Sequence, residues 1–116
     1  MSNTNVKLSF TKPKTEVKEY DKLPLSIGRD PNCDIVLVGN RVSRRHAVIE
    51  SKENKLILRN ENSKNGILVN GSDYNGETIG PDNLIQIGEY SFYISNSKNS
   101  FLLTFAKTVH HPQSLQ

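Results

Sequence analysis

Apolar residues occur along this chain in short runs that alternate with polar residues and end at turn-forming residues. Residues 7–10 (KLSF) alternate before Pro13, and residues 84–87 (LIQI) alternate before Gly88. A period of two is typical of a strand that buries one face. No segment has a sustained period of 3.6 residues. The pattern therefore predicts an all-β chain.

Ten strand candidates follow one another at a spacing of roughly 8–12 residues. Asn-Gly pairs at 65–66 and 70–71 supply the positive φ angles of tight hairpin turns. Short strands at this spacing indicate a β-sandwich or barrel, and we predict a β-sandwich whose loops carry the function. The candidates are residues 7–10, 16–20, 25–27, 35–37, 47–49, 55–59, 67–69, 84–87, 91–94 and 101–105.

The length and composition fit one domain. The chain has 116 residues, of which 34% are hydrophobic, and chains of about 100–200 residues usually form a single domain. The polar start predicts a disordered segment at 1–5, followed by the domain at 6–106 and a flexible tail at 107–116. The tail has no obvious ending, as expected of an N-terminal piece of a longer protein.

Cysteine usage and hydropathy narrow the class of protein. Cys33 is the only cysteine, which excludes a disulfide framework and a Cys-rich zinc site and favours a reducing compartment. No run approaches 18 apolar residues, and the first 20 residues contain no signal-peptide stretch. We therefore expect a soluble intracellular domain with no membrane contact, no metal and no cofactor.

The positive charge is concentrated in loops. Segments 28–34 and 40–46 contain four of the five arginines and two acids, so residues 28–46 carry +2 of the formal +3. Arginine presents a planar fork of donors that matches phosphate or carboxylate. The four arginines are Arg29, Arg41, Arg44 and Arg45.

Three further donors lie in polar loop segments of the sequence. Ser43 offers a hydroxyl, and in a third loop Lys64 and Asn65 offer an ammonium and an amide. If the loops converge at one end of the sandwich, they form a site suited to a compact dianion such as a phosphoryl group. Arginines that are simply solvated are the alternative.

The order of the loop residues carries a resemblance. Gly28-Arg29, then Ser43 with His46 three residues later, then Asn65-Gly66, resembles the forkhead-associated (FHA) domain, a phosphothreonine-recognition module; the match extends over about residues 6–105. The resemblance implies an FHA/SMAD-like β-sandwich of about eleven short, mostly antiparallel strands. It also implies that loops at one end bind phosphothreonine peptides. We expect the strand missing from our count near residues 73–79.

The resemblance implies phosphopeptide-binding roles for four residues. Arg29 contacts the phosphate, and the hydroxyl of Ser43 donates to it. Arg44 occupies a position that often holds a polar or basic phosphate ligand. Asn65 holds the backbone of the bound peptide.

Other residues have structural roles in this family. Gly28 and Gly66 supply turns that a Cβ would disturb. His46 is a structural hydrogen-bonding residue in the family, which disfavours a catalytic or metal-binding role. Cys33 with His46 provides two ligands, short of the three or four that zinc usually has.

Two departures from the family pattern bear on the site. Lys64 stands where many members have a threonine whose hydroxyl helps to bind phosphate, and we expect Lys64 to replace it with a charge-assisted contact. Asp82-Asn83 stands where a Gly-Asp pair is usual, which affects the local loop geometry. Arg41, beside the site, predicts a preference for an acidic residue a few positions after the phosphothreonine.

These observations predict a phosphothreonine-recognition module that mediates phosphorylation-dependent protein–protein interaction in signalling of a cell-cycle or DNA-damage type. We expect it to be monomeric as an isolated domain and to be located in the nucleus, with the cytoplasm as a second location. We expect no enzyme, because no serine, cysteine or carboxylate pair has the partners that catalysis needs.

Two other functions compete with this prediction. A phosphate-independent β-sandwich could act as a scaffold or dimerisation module, but Arg29, Ser43 and Asn65 are all present, which argues against the loss of phosphate binding. Direct nucleic-acid binding through the arginine loops is disfavoured because those loops lack Phe and Tyr for base stacking.

Overall fold

The computed structural model describes residues 5–61 and 63–97. These residues form no helix, and so none that is long and apolar enough to cross a membrane. Ten strands follow in chain order: β1 (Asn5–Lys12), β2 (Glu16–Tyr20), β3 (Leu25–Gly28), β4 (Ile35–Val36), β5 (Ala47–Lys52), β6 (Lys55–Asn60), β7 (Leu68–Val69), β8 (Ser72–Asp73), β9 (Ile85–Ile87) and β10 (Tyr90–Ser97).

The strands form two sheets. A six-stranded sheet has the order β2-β1-β10-β9-β7-β8, and a four-stranded sheet has the order β4-β3-β5-β6. Among the described strands only β3 and β4 pair in parallel. The predicted all-β sandwich of mostly antiparallel strands is confirmed, and ten strands with one isolated bridge between Leu56 and Ile79 come close to the expected count.

The region near residues 73–79 contains a short strand and a side-chain anchor. β8 has only two residues. The hydroxyl of Tyr74 accepts a hydrogen bond from the amide of Leu58 at 3.0 Å and donates to the carbonyl of Glu77 at 2.5 Å. Because one side chain holds this segment against β6, it needs no alternating pattern of its own.

One of the predicted boundaries can be compared with a strand end. β1 begins at Asn5, inside the predicted disordered segment 1–5, because Asn5 pairs with Ser97 at the far end of β10. The strand predicted at 101–105 lies outside the described residues.

The core lies between the two sheets. On β1, Val6, Leu8 and Phe10 are buried and alternate with half-buried polar residues. From the opposite sheet Leu25 and Ile27 of β3 are fully buried in the same cluster. Burying one such side chain contributes about 1.5–3 kcal/mol. The alternation along the sequence predicts these positions because each strand buries a single face.

Asp34 holds the turn that leads into β4. Its carboxylate accepts hydrogen bonds from the amide of Ser26 at 2.9 Å and from the Ser26 hydroxyl at 3.1 Å, and it pairs with Lys22 Nζ at 2.9 Å. The hydrogen bond from the Ser26 backbone is the main cause that lowers the pKa of Asp34, followed by the hydrogen bond from Lys22.

We predict that Asp34→Asn reduces the loss of stability in acid. A carboxyl group whose pKa is lower in the folded state stabilises the fold above its unfolded pKa of about 3.9 and loses that contribution as the pH falls through the folded pKa. Urea unfolding between neutral pH and about pH 2 should therefore give a flatter acid profile for the variant than for the unmodified protein. The difference is small because solvent screens this exposed carboxylate.

Asp82→Asn is the matched control, because the carboxylate of Asp82 has no hydrogen bond or ion pair to any described residue. Its acid profile should follow that of the unmodified protein. Equal acid losses for Asp34→Asn and Asp82→Asn would contradict the prediction.

Candidate functional site

Three loops meet at one end of the four-stranded sheet. Loop A (residues 29–34) follows β3, loop B (37–46) leads into β5, and loop C (61–67) follows β6. Ala47, the first residue of β5, pairs with Ile27 near the end of β3 and with Asn60 at the end of β6. The three loops therefore converge at one end of the sandwich, which is the condition that the sequence analysis set for a phosphate site.

Backbone hydrogen bonds join loop A to loop B. The amide of Arg29 donates to the carbonyl of Ser43 at 3.0 Å, and the amide of Asp30 donates to the carbonyl of Arg44 at 3.1 Å. The Nε of Arg29 donates to the carbonyl of Val42 at 3.0 Å. These bonds fix Arg29 at its backbone and at Nε, while its two terminal amino groups make no hydrogen bond to any described residue and are available as donors. The residue is exposed.

Gly28 allows this close approach of the loops. A Cβ at Gly28 would collide with the backbone carbonyl of Arg44 and reach to 3.0 Å from Cys33 Sγ. The requirement at Gly28 is therefore space rather than a special turn angle. Gly66 differs: it has φ +74° and open space around it, which is the left-handed turn conformation that glycine favours.

His46 connects loop B to loop C from inside the core. The residue is fully buried. Its Nδ1 accepts a hydrogen bond from the amide of Ser43 at 3.0 Å, so the ring proton is on Nε2, which donates to the carbonyl of Gly66 at 2.7 Å. Both ring nitrogens thus hold backbone groups. No group of three His, Cys, Asp or Glu in the described parts of the chain could hold a metal ion.

Ser43 and Lys64 are adjacent. The backbone amide of Lys64 donates to Ser43 Oγ at 3.0 Å. The serine oxygen acts as the acceptor in this bond, so the hydroxyl proton is left to donate to a ligand. The ammonium of Lys64 is exposed and makes no hydrogen bond or ion pair with any described residue.

Asn65 links the tip of loop C to loop B. Its Nδ2 donates to the carbonyl of Arg41 at 3.2 Å. Its Oδ1 has no hydrogen-bond partner among the described residues and can accept a hydrogen bond, for example from the amide of an extended peptide. The Arg41 side chain beside it is exposed and forms no ion pair within the described residues.

Arg44 has a partner in loop A. Its guanidinium lies 3.6 Å from Asp30 Oδ2, while 74% of the side chain is exposed. An exposed pair at this distance contributes at most about 1 kcal/mol. Arg44 can therefore exchange Asp30 for a stronger anion at low cost.

Sequence reasoning missed three groups at this site. The carbonyl of Val42 orients Arg29, and Asp30 pairs with Arg44. The Oδ1 of Asn60 accepts from both the amide and the hydroxyl of Ser63, which orders the start of loop C. Only the last could be found beforehand, since Asn and Ser in a turn commonly bond to nearby backbone.

We predict that Gly28→Ala lowers the free energy of unfolding by about 1–3 kcal/mol, the usual cost of overpacking. The added methyl group must push the Arg44 carbonyl away from loop A. Urea unfolding measures the change.

Gly80→Ala is the control, because a Cβ there has only an ordinary contact at 3.6 Å with the Asn83 side chain and the φ angle of Gly80 is not positive. If the two variants agree within about 0.5 kcal/mol, the close approach does not require glycine.

Two comparisons concern the sequence. The family model of the FHA domain matches residues 25–88, more than half of the chain. The chain is also 33% identical over 70 residues to the oxoglutarate dehydrogenase inhibitor of Corynebacterium diphtheriae; the match covers 60% of this chain and 49% of that protein. The chain thus spans about half the length of this relative.

Solved structures share the fold. EmbR of Mycobacterium tuberculosis, in complex with a low-affinity phosphopeptide, is 25% identical with a TM-score of 0.71; the match covers 78% of this chain and 24% of EmbR. The FHA domain of the CT664 protein from Chlamydia trachomatis is 24% identical with a TM-score of 0.69, covering 80% and 98% of the two chains. The family match, with the joined loops A, B and C, shows that this chain belongs to the FHA domain family, whose members are generally phosphothreonine-dependent protein-interaction modules.

Proposed function

We propose that this chain binds a phosphothreonine-containing segment of a partner protein through loops A, B and C. The observation that carries the proposal is that the polar side chains of the three loops available to a ligand lie next to one another. Direct hydrogen bonds join Arg29 to Ser43, and Ser43 to Lys64, while the terminal amino groups of Arg29, the hydroxyl proton of Ser43 and the ammonium of Lys64 have no partner among the described residues. In this role the chain acts as a docking module in signalling and not as an enzyme.

The chemistry of these groups matches a phosphoryl dianion. Phosphothreonine carries about −1.5 to −2 charges at neutral pH and offers three acceptor oxygens. The terminal amino groups of Arg29 and the hydroxyl of Ser43 donate to it, and Lys64 adds a charge-assisted contact. Arg44 joins them by leaving Asp30. Every group assigned to the phosphate is a donor.

Asn65 has a different task. Its amide nitrogen is bound to the carbonyl of Arg41, and its Oδ1 is free to accept from the peptide backbone. The phosphate and the peptide chain are thus held by separate side chains. The phosphopeptide bound to EmbR supports the same use of the fold.

We predict that the protein binds a phosphothreonine peptide more tightly than the phosphoserine version and much more tightly than the unmodified one. Arg29→Ala should weaken phosphothreonine binding by about 2–5 kcal/mol, because it removes a hydrogen-bonded charge partner of the phosphate. Isothermal titration calorimetry with the three versions of one peptide, drawn from a phosphothreonine library screen, measures both effects.

Lys52→Ala serves as the control, since it removes the same charge at the β5–β6 turn, at the other end of the sheet. It should leave the affinity nearly unchanged. Equal affinities for all three peptides, or undiminished binding by a folded Arg29→Ala variant, would refute the proposed site.

We also predict that Arg41 selects the residues that follow the phosphothreonine. Its carbonyl is bound to Asn65, so its exposed side chain lies beside the residue proposed to hold the peptide. Peptides with an acidic residue two to four positions after the phosphothreonine should bind more tightly than those with lysine there. Arg41→Glu should reverse the order, and Lys52→Glu should preserve it. An unchanged order in Arg41→Glu would assign the preference elsewhere.

The pathway, location and oligomeric state are separate from this proposal. The nuclear, cell-cycle or DNA-damage setting implied by the sequence resemblance gains no support from the three relatives described above, which are bacterial proteins. A nuclear or cytoplasmic location and a monomeric domain stay predictions. No feature of the described residues specifically favours phosphate-independent association. That function would also not explain why the hydrogen-bond donors of loops A, B and C are grouped together.

A further inference from the structure

The chain exposes apolar side chains where β4 leads into loop B. Buried and exposed residues alternate strictly from Cys33 to Val38, so Val36 and Val38 share the outward face. Val36 is 39% exposed and Val38 is 67% exposed, which makes them two of the three large hydrophobic residues exposed in the described parts of the chain. A continuous apolar run such as residues 35–38 (IVLV) is typical of a strand covered on both faces. β4 is an edge strand, and the outward face of this run lies open.

A pocket of about 140 Å³ lies beside Val36. Pro13 and Val36 are exposed at its walls, Tyr90 is half-buried there, and the segment 14–18 supplies its charged side. Since an apolar cavity of about 150 Å³ holds one benzene ring, the pocket has room for one leucine-sized side chain. Val36, Val38 and Tyr90 together are called the lateral patch.

The lateral patch offers side chains rather than a free backbone edge. The amide of Leu37 donates to the carbonyl of Gly28 in β3 at 2.9 Å. The next amide, that of Val38, therefore points to the open edge, where it donates to the Tyr90 hydroxyl at 3.0 Å. Because this amide is taken, an added strand cannot pair with it. The contact that stays open is an apolar one with the exposed valines.

Loop B joins the lateral patch to the proposed phosphopeptide site. The amide of Val42 donates to the carbonyl of Gly39 at 3.3 Å and closes a tight turn. Within this turn the carbonyl of Arg41 accepts from Asn65. Three residues of chain span at most about 10 Å, so Val38 lies within about 10 Å of Arg41. A peptide that passes Asn65 and Arg41 therefore reaches the patch within about three further residues.

We propose that the lateral patch binds an apolar side chain of the same partner protein that carries the phosphothreonine; this inference rests on the proposed function. The acidic residue proposed to face Arg41 lies two to four positions after the phosphothreonine, so three further residues put the apolar one about five to seven positions after it. A Cβ at Gly39 would collide with the Glu89 carboxylate, which places an acid beside the patch and disfavours an acidic side chain there. Continuity with loop B favours this occupant over a second copy or an unrelated protein.

Isothermal titration calorimetry with three phosphothreonine peptides tests the proposal. A short peptide ends four residues after the phosphothreonine, and two longer ones carry either leucine or serine at the next three positions. The leucine peptide should bind about tenfold more tightly than the serine peptide, because it buries part of an apolar side chain. Val38→Ser should abolish this gain and preserve the affinity for the short peptide. The methyl resonances of Val36 should shift with the leucine peptide alone.

Val17→Ser is the matched control, since it removes a valine that is 56% exposed. Val17 lies between Glu16 and Lys18, which line the pocket, so its own side chain is on the opposite face of β2. The gain from leucine should persist in this variant. Urea unfolding checks that both valine variants are folded.

The outcomes separate this inference from the proposed function. Equal affinities for the leucine and serine peptides, with the short peptide still bound, would overturn the lateral patch and leave the phosphothreonine site intact. A gain that Val38→Ser leaves unchanged would overturn it as well. Absence of all phosphothreonine binding would refute the proposed function and this inference with it. A dimer that sedimentation detects and that Val38→Ser dissociates would show that a second copy covers the patch, which would also overturn the proposal.

Discussion

The binding loops depend on one neutral imidazole in the core. His46 accepts from the Ser43 amide and donates to the Gly66 carbonyl, and no solvent reaches the ring. A backbone group that is buried without a partner costs up to about 1–3 kcal/mol, and both of these groups are partly buried. The ring thereby determines where loop B and loop C lie relative to each other. The hydroxyl of Ser43 and the tip of loop C take their positions from this contact.

The loops use backbone groups and part of each side chain for structure, and they leave the remaining polar ends of those side chains for binding. Arg29 is held by its amide and its Nε, and Asn65 by its amide nitrogen. A ligand that meets side chains already held in place loses less conformational entropy in ordering them, so more of the interaction energy appears as affinity. The hydrogen bonds among loops A, B and C therefore preorganise the site for binding and also stabilise the fold.

Sequence periodicity predicts the sheets because strand burial has the same period as the sequence pattern. Val6, Leu8 and Phe10 are an example that needs no tertiary information. Contacts between loops are different. The need for glycine at position 28 comes from the Arg44 carbonyl, and the orientation of Arg29 comes from the Val42 carbonyl. Every residue has a backbone carbonyl, so the residue type at positions 42 and 44 does not indicate these contacts, and the sequence could not predict them.

The antiparallel pairing of Asn5 with Ser97 fixes where any attached polypeptide leaves the domain. β10 starts next to β9, which pairs with β7 just after loop C, and runs for eight residues away from that end. At about 3.3 Å per residue, Ser97 and Asn5 lie more than 20 Å from the start of β10. A fusion partner or a surface linker joined at either point therefore emerges on the side facing away from the recognition loops. The domain can be immobilised or built into a larger chain through both ends while its ligand approaches without obstruction.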